Sequence, residues 1–243
     1  MNMSFPTVTV LGVPFIKATN AQFLNQLYQD LKQHKNRFVV TANPEIVMYA
    51  RDHHDYLNTV LTADYITPDG IGIIQGAKIL KQPLPERVTG YDTMLALFKF
   101  ANAHHLKVYL LGAKPEVIHA VLHKLTVEYP HLEIVGAHDG YFKDDSDILN
   151  TIHAKQPDLV FVATGFPKQE EWIARNRYLS DSVWMGVGGS FDVFAGAVKR
   201  APKIFQTLHL EWFYRLLQEP SRYKRMLVLP KYLGLVKKEA KRN

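Results

Sequence analysis

The stretch Arg37–Gly76, RFVVTANPEIVMYARDHHDYLNTVLTADYITPDGIGIIQG, decides the fold. It holds two short apolar runs, Phe38-Val39-Val40 and Tyr65-Ile66, each halted by polar punctuation: Thr41-Ala42-Asn43-Pro44 after the first, Thr67-Pro68-Asp69-Gly70 after the second. Short β-branched or aromatic runs closed by Pro, Gly, Asn or Asp read as buried strands entering loops. Pro44 suits the first turn of a helix with Asn43 as its cap, and Ile46, Val47 and Ala50 supply one apolar stripe. If the two strands lie side by side in one sheet, Thr41, Asn43 and Asp69 reach the same rim. Open α/β sheets bind their ligands at that rim.

Upstream, residues 7–16 read as a strand, a turn at Gly12 and a second short strand, and Phe23, Leu24, Leu27, Tyr28 and Leu31 recur at helical spacing. After Asp69, Ile71, Ile73, Ile74 and Ala77 suggest a helix, although Gly70, Gly72 and Gly76 make it a weak one. Lys81–Gly90 reads as a loop, and Met94, Leu95, Leu97 and Phe98 begin another helix. From there strand and helix alternate: strand 108–111, helix 115–128, strand 132–135, a helix from about Ser146, strand 159–163, helix 167–177 and strand 183–187. That alternation implies an α/β Rossmann-like layered fold with a mainly parallel sheet and right-handed crossovers. Beyond Lys199 the texture changes. Phe205, Leu208 and Trp212 mark a helix up to Glu219-Pro220, and a terminal segment carries Tyr232, Leu235 and Val236. Residues 1–198 are read as the α/β catalytic domain and residues 199–243 as a helical, basic C-terminal appendage.

With 243 residues, 47% of them hydrophobic, the chain can bury a substantial core. There is no cysteine, which excludes disulfides, thiolate metal sites and cysteine nucleophiles. The start MNMSFPTVTVLGVPF lacks the charged lead and apolar core of a signal peptide, and no apolar run approaches the roughly 18 residues of a membrane span. A cytoplasmic location is the expectation. The net charge of +6 conceals a division: residues 199–243 carry 12 Lys/Arg against 3 Asp/Glu, whereas the other 198 residues carry 17 against 20. The basic end points to an anionic partner, a lipid surface or a nucleic acid.

Three strand-end loops carry glycine: LGAKP (111–115), TGFPKQEEW (164–172) and GVGGSFD (186–192). Glycine lets backbone N–H groups approach an anion, and a helix N-terminus behind it favours negative charge. A diphosphate fits. The same glycines also serve turn geometry alone, and none matches the dinucleotide fingerprint, since Phe191 stands where a third glycine belongs. Gly112, Tyr141, Gly165, Gly188, Gly189 and Asp192 are the candidate nucleotide contacts on this rim. Gln169 either meets a phosphate or sugar hydroxyl or sits in a solvated first turn. Asp69 reads two ways, as a cap of the helix that follows it or as a general base held near an alcohol. Thr41 and Asn43 are neutral hydrogen-bonders suited to a sugar. Asp145-Ser146-Asp147 spells D-x-D but precedes a helix, where acids favour the dipole, so no metal site is assigned. In LEWFYRLLQEPSRYKRM (210–226), aromatic and basic residues interleave, which suits a membrane interface, a helix packed on the core, or nucleic acid; no nucleic-acid module accompanies it.

With these residues laid out, the chain resembles the WecG/TagA/CpsF glycosyltransferase family, its TagA branch most closely, over nearly all 243 residues. The marks are TANPEIV (41–47), TPDG with Asp69, PERVTGYD (85–92), GFPKQEEWI (165–173), GVGGSFDVFAG (186–196), and RAP followed by LEWFYRLLQEPSRYKR. The resemblance implies an inverting, metal-independent transferase without a cofactor, using a UDP-activated N-acetylhexosamine. For the TagA branch it implies UDP-N-acetylmannosamine as donor and undecaprenyl-diphosphate-linked N-acetylglucosamine as acceptor, in making the wall teichoic acid linkage unit. A related enzyme using the uronic acid of that donor, or a nucleotide- or nucleic-acid-binding module, is the rival reading. The resemblance further implies that Asp69 is the base, that Thr41, Asn43, Arg87 and Gln169 line the pocket, and that Arg215, Arg222 and Arg225 meet the membrane and the acceptor diphosphate. It implies a protein peripheral to the inner face of the cell membrane, with no nucleic-acid partner; a homo-oligomer is compatible with it.

Overall fold

The computed structural model describes residues 5–202, 204–205, 211–218 and 227–242. Six strands form one sheet: β3 (Arg37–Ala42), β4 (Tyr65–Pro68), β5 (Lys107–Gly112), β6 (Glu133–His138), β7 (Leu159–Ala163) and β8 (Val183–Gly186). Their spatial order is β4-β3-β8-β7-β5-β6, and every pairing is parallel. The first two strands, β1 (Thr7–Val10) and β2 (Val13–Ile16), make a separate antiparallel hairpin turned at Leu11-Gly12.

Parallel strands need long crossovers, and helices supply them on both sides. They are α1 (Asn20–Lys32), α2 (Pro44–Asp52), α3 (His54–Leu61), α4 (Ile71–Ile79), α5 (Gly90–His104), α6 (Pro115–Glu128), α7 (Ser146–Lys155), α8 (Lys168–Asn176) and the short α9 (Ser190–Phe194), with α10 (Glu211–Gln218) and α11 (Val228–Ala240) in the C-terminal part. Alternate strand residues serve opposite faces. Phe38, Val40 and Ala42 join a core with α2, α3, α4, α7, α8 and α11, while Val39 joins a second core with α1, α5, α6 and α9. This is the layered α/β fold expected from the sequence, with strands buried on both faces. Phe191 is wholly buried in the second core, which accounts for an aromatic in the position where a dinucleotide loop has glycine.

The amino ends of the strands are tied by charge. Asp30 is fully buried and accepts from Arg37 Nε (2.9 Å), Tyr65 Oη (2.6 Å) and Gln26 Nε2 (2.9 Å). Asp64 accepts from Arg177 Nη2 (2.7 Å) and the Phe38 amide (2.8 Å). These partners satisfy carboxylates that would otherwise be costly to desolvate. The carboxyl ends are where the chain opens.

The helix after Asp69 forms despite its glycines, and the reason is tertiary. A β-carbon on Gly72 would lie 2.6 Å from Pro44 Cγ and 2.8 Å from Leu229 Cδ1, and one on Gly76 would collide with the Tyr232 hydroxyl. The small residues let α11 lie directly on α4, burying Tyr232 and Val236 in the first core. Helix propensity lost at glycine is roughly 1 kcal/mol each, less than the burial it permits. The last helix of the segment 199–243 is thus integral to the α/β body.

The Tyr232 hydroxyl is buried without a hydrogen-bond partner among the described residues. Tyr232→Phe is therefore expected to raise stability by about 1 kcal/mol, whereas Tyr232→Ala lowers it by about 3 kcal/mol or more through the cavity it leaves. Urea unfolding of the two variants beside the wild type checks this; a Phe variant weaker than wild type contradicts it.

Candidate functional site

β3 and β4 pair in register, Thr41 opposite Thr67 and Ala42 opposite Pro68, so both strands end at one level. The ladder then runs one residue further, with the Asp69 amide donating to Ala42 O (2.9 Å). Asn43 Oδ1 accepts from the Ile46 amide (3.0 Å), capping α2. Gly70 occupies the N-cap position of α4, at φ +106°, a conformation suited to glycine. Asp69 Oδ2 accepts from the amide of Gly90, the first residue of α5 (3.1 Å). The loop 81–89 thus brings the start of a second helix to this carboxylate.

Over these strand ends lies a cavity of about 360 Å³. Thr41, Asn43, Asp69, Arg87, Gln169, Gly165, Gly188 and Gly189 all line it, so one hollow gathers residues spread over nearly 150 positions of sequence. The other three candidate nucleotide contacts do not line it. Gly112 ends β5, two strands from β8, where a β-carbon would collide with the Ala163 backbone; its role is packing geometry at φ +124°. Tyr141 follows β6, the edge strand, and is exposed. Asp192 lies on α9 outside the lining. Glycine at a strand end marks this rim generally, and only the sheet order separates the near loops from the far ones.

Sequence reasoning missed other lining residues: Thr89, Tyr91, Ser190, Arg200 and, from α11, Val228 and Leu229. Arg200 donates to Asp92 Oδ1 (2.7 Å) and lies over the Tyr91 ring (4.7 Å), while Asp92 also accepts from Thr89 Oγ1 (2.6 Å). The signal for Arg200 was its place in the RAP motif, six residues beyond the end of α9. Of the expected tail arginines, Arg222 and Arg225 lie outside the described residues, and Arg215 is described only as part of the α10 backbone. Of the D-x-D acids, Asp145 Oδ2 accepts from Trp172 Nε1 (2.7 Å) and Asp147 lies in the first turn of α7, while the neighbouring Asp144 accepts from the Ser146 amide and hydroxyl. Among the described residues no three His, Asp or Glu side chains gather as a metal site, and no helix is long and apolar enough to cross a membrane.

Gln169 is not in a solvated turn; it is 4% exposed, which corrects that alternative. Its Oε1 accepts from the Gly188 amide (3.0 Å) and its Nε2 donates to Glu170 Oε1 (2.7 Å). The space it fills exists because residue 186 is glycine, whose β-carbon would sit 2.8 Å from Gln169 Nε2. Glu170 is completely buried, and burial pushes its carboxyl up to about 7 against partial compensation from the Gln169 bond.

Residues 8–243 match the model of the glycosyl transferase WecG/TagA/CpsF family. The chain is 42% identical over 234 residues to an N-acetylglucosaminyldiphosphoundecaprenol N-acetyl-beta-D-mannosaminyltransferase of Bacillus spizizenii, covering 96% of this chain and 91% of that one. It is 40% identical to the protein of the same name in Bacillus subtilis (97% and 93% covered) and 41% identical to that of Staphylococcus aureus strain MW2 (95% and 92%).

Glu170 also makes a stability prediction. Its carboxyl rises from an ordinary 4.5 to about 7 on folding, so its protonated form favours the native state. That contribution is complete below about pH 4.5, declines as pH rises and is gone above about pH 7, on the order of 3 kcal/mol in all. Melting curves between pH 5 and 8 are expected to show wild type losing stability relative to Glu170→Gln as pH rises; parallel profiles contradict the assignment.

Proposed function

We propose, from the premise that the chain belongs to the glycosyl transferase WecG/TagA/CpsF family, that it moves N-acetylmannosamine from UDP-N-acetylmannosamine to undecaprenyl-diphosphate-linked N-acetylglucosamine, the step that builds the wall teichoic acid linkage unit. The names of its relatives describe that transfer to N-acetylglucosaminyldiphosphoundecaprenol. One observation carries the assignment to this cavity: a carboxylate held on both main chain and side chain, Asp69, shares one hollow with Arg87 and the glycine loop at 188–189. A volume of about 360 Å³ lies within the range of small-ligand pockets.

In this reading Asp69 takes the proton of the acceptor hydroxyl as that oxygen attacks the anomeric carbon from the face opposite UDP, inverting it. A carboxylate offers about four acceptor positions, so the bond from the Gly90 amide orients Asp69 without exhausting it. The bond to UDP breaks and its diphosphate gains charge. Arg87 and Arg200, both at the cavity wall, are the cations placed to receive that charge. Thr41, Asn43 and Gln169 bound the sugar side. Thr41 Oγ1 itself contacts Gly186 O (3.3 Å), which sets its rotamer.

The lipid-linked acceptor would be met by the C-terminal segment. Among the described residues, Ile204, Phe213, Leu217 and Leu227 are large apolar side chains that remain exposed, within a stretch rich in Lys and Arg. Apolar side chains beside cations suit the interface of an anionic bilayer.

Two outcomes are expected. Offered a panel of UDP-sugars with a lipid-diphosphate-N-acetylglucosamine acceptor, the protein should release UDP fastest from UDP-N-acetylmannosamine, and Asp69→Asn should slow release by about 10²–10⁴-fold while UDP still binds; undiminished turnover removes Asp69 from the role. Leu217→Glu with Leu227→Glu should cut binding to anionic vesicles by roughly tenfold or more with the fold intact, and unchanged sedimentation would refute the membrane contact. Truncation at Lys199 is a poorer test, since it strips Tyr232 and Val236 from the core.

A further inference from the structure

We propose that Glu170 is a positioning residue for the donor: it locks the Gln169 amide in the one orientation that clamps Gly188 and so shapes the Gly188–Gly189 wall of the cavity. The inference rests on the reading of that cavity as the UDP-sugar site.

An amide side chain has two nearly isosteric ends, and its neighbours decide which faces where. Glu170 Oε1 acts as an acceptor in this contact, so the end of Gln169 that meets it at 2.7 Å is the NH₂ group. The carbonyl end is thereby turned to the Gly188 N–H at 3.0 Å. Rotating the amide by half a turn would oppose two donors at Gly188 in either state of Glu170, and two acceptors at Glu170 once it is ionised. With Glu170 buried and Gly188 half-buried, such a mismatch leaves a polar atom unmade at about 1–3 kcal/mol. The clamp matters because Gly188 sits beyond the end of β8 with φ +50°, in a conformation no sheet ladder imposes. Gly186 completes the arrangement by leaving Gln169 room. Gln169, Gly188 and Gly189 all face the cavity, but Glu170 does not line it. It acts only through its neighbour.

The surroundings of Glu170 make the clamp sensitive to ionisation. The buried hydroxyl of Tyr56 on α3 reaches Glu170 only through a weak hydrogen bond, which offsets a small part of the cost of burial. Glu171 on its own helix adds negative charge, and Tyr49 of α2 packs edge-on against Tyr56 at 5.1 Å. None of the groups that set its ionisation is a cation. Burial accordingly raises Glu170 to about 7 and lifts Tyr56 far above its ordinary range. Once ionised, the carboxylate is a buried charge with no countercharge, and the relief open to it is to shift the start of α8 or admit water, which loosens Gln169.

The test is UDP affinity by titration calorimetry with the full-length protein at pH 6 and pH 8.5, for wild type, Glu170→Gln and Glu170→Leu. Ionisation of UDP itself is common to all three proteins and cancels in the comparison. Wild type is expected to lose several-fold more affinity over this interval than Glu170→Gln, whose amide oxygen still receives the Gln169 NH₂ but cannot ionise. Glu170→Leu, with no acceptor, should bind UDP about tenfold more weakly at both pH values. In turnover the loss should fall on KM for the UDP-sugar, with kcat within about twofold. A wild-type profile parallel to that of Glu170→Gln overturns the proposal, as does a folded Glu170→Leu that binds like wild type. If Glu170→Leu does not fold, the Glu170→Gln profile alone decides. Absence of UDP binding by wild type at either pH would overturn this inference together with the donor reading, whereas UDP binding indifferent to residue 170 would leave the donor reading standing.

Discussion

The bond from the Asp69 amide to Ala42 O carries the parallel ladder of β3 and β4 one residue past Pro68, which has no N–H to give. That single continuation holds Asp69 at the level of Asn43. Its side chain is then fixed from the opposite direction by the Gly90 amide, and the carbonyl of Pro68 accepts from the Val88 amide. Three segments far apart in sequence therefore meet at one carboxylate, and the loop that carries Arg87 is tied down beside it. The proposed role of Asp69 as base calls for such over-determined placement, because proton transfer depends on hydrogen-bond reach.

The molecule divides its labour between the two ends of the sheet. At the amino ends, Asp30 and Asp64 bind Arg37, Tyr65 and Arg177 into a buried, paired network that holds the strands together. At the carboxyl ends the backbone leaves the ladder, glycines take positive φ at residues 70, 165 and 188, and a hollow remains. α11 closes one side of it with Val228 and Leu229, and it can lie there because Gly72 and Gly76 leave no side chain in its way. The buried charge network and the hollow thus lie at opposite edges of one core. Glu170 is the exception, a buried acid placed within one residue of the cavity wall, and its cost is consistent with a role beyond packing.

Much of the fold was legible in the chain, and the reason is periodicity. Apolar runs of four to six residues alternating with helical stripes admit little besides a parallel layered sheet. The helix over 115–128 was readable to its ends because Pro115 can sit only in a first turn. The helix α3 was less so: His53 ends α2 in an extended conformation and the chain re-enters a helix at once, a break that no Gly or Pro announces. The glycines of α4 looked like weakness and proved to be a docking surface, since their meaning depends on a helix more than 150 residues later.

For the site, the residue types and their motifs were in the sequence: a carboxylate after a strand, neutral hydrogen-bonders after its neighbour, and three glycine loops. Composition and spacing could not say which of those loops share a rim with Asp69, because strand order is a long-range property. Only the order β4-β3-β8-β7 placed residues 165 and 188–189 in the hollow while leaving Gly112 and Tyr141 toward the far edge. Nor could the sequence reveal that Gln169 is buried and already bonded at both ends of its amide, or that Glu170 is a carboxyl without water. Burial is decided by what packs above a side chain, and that is known only once the whole chain has folded.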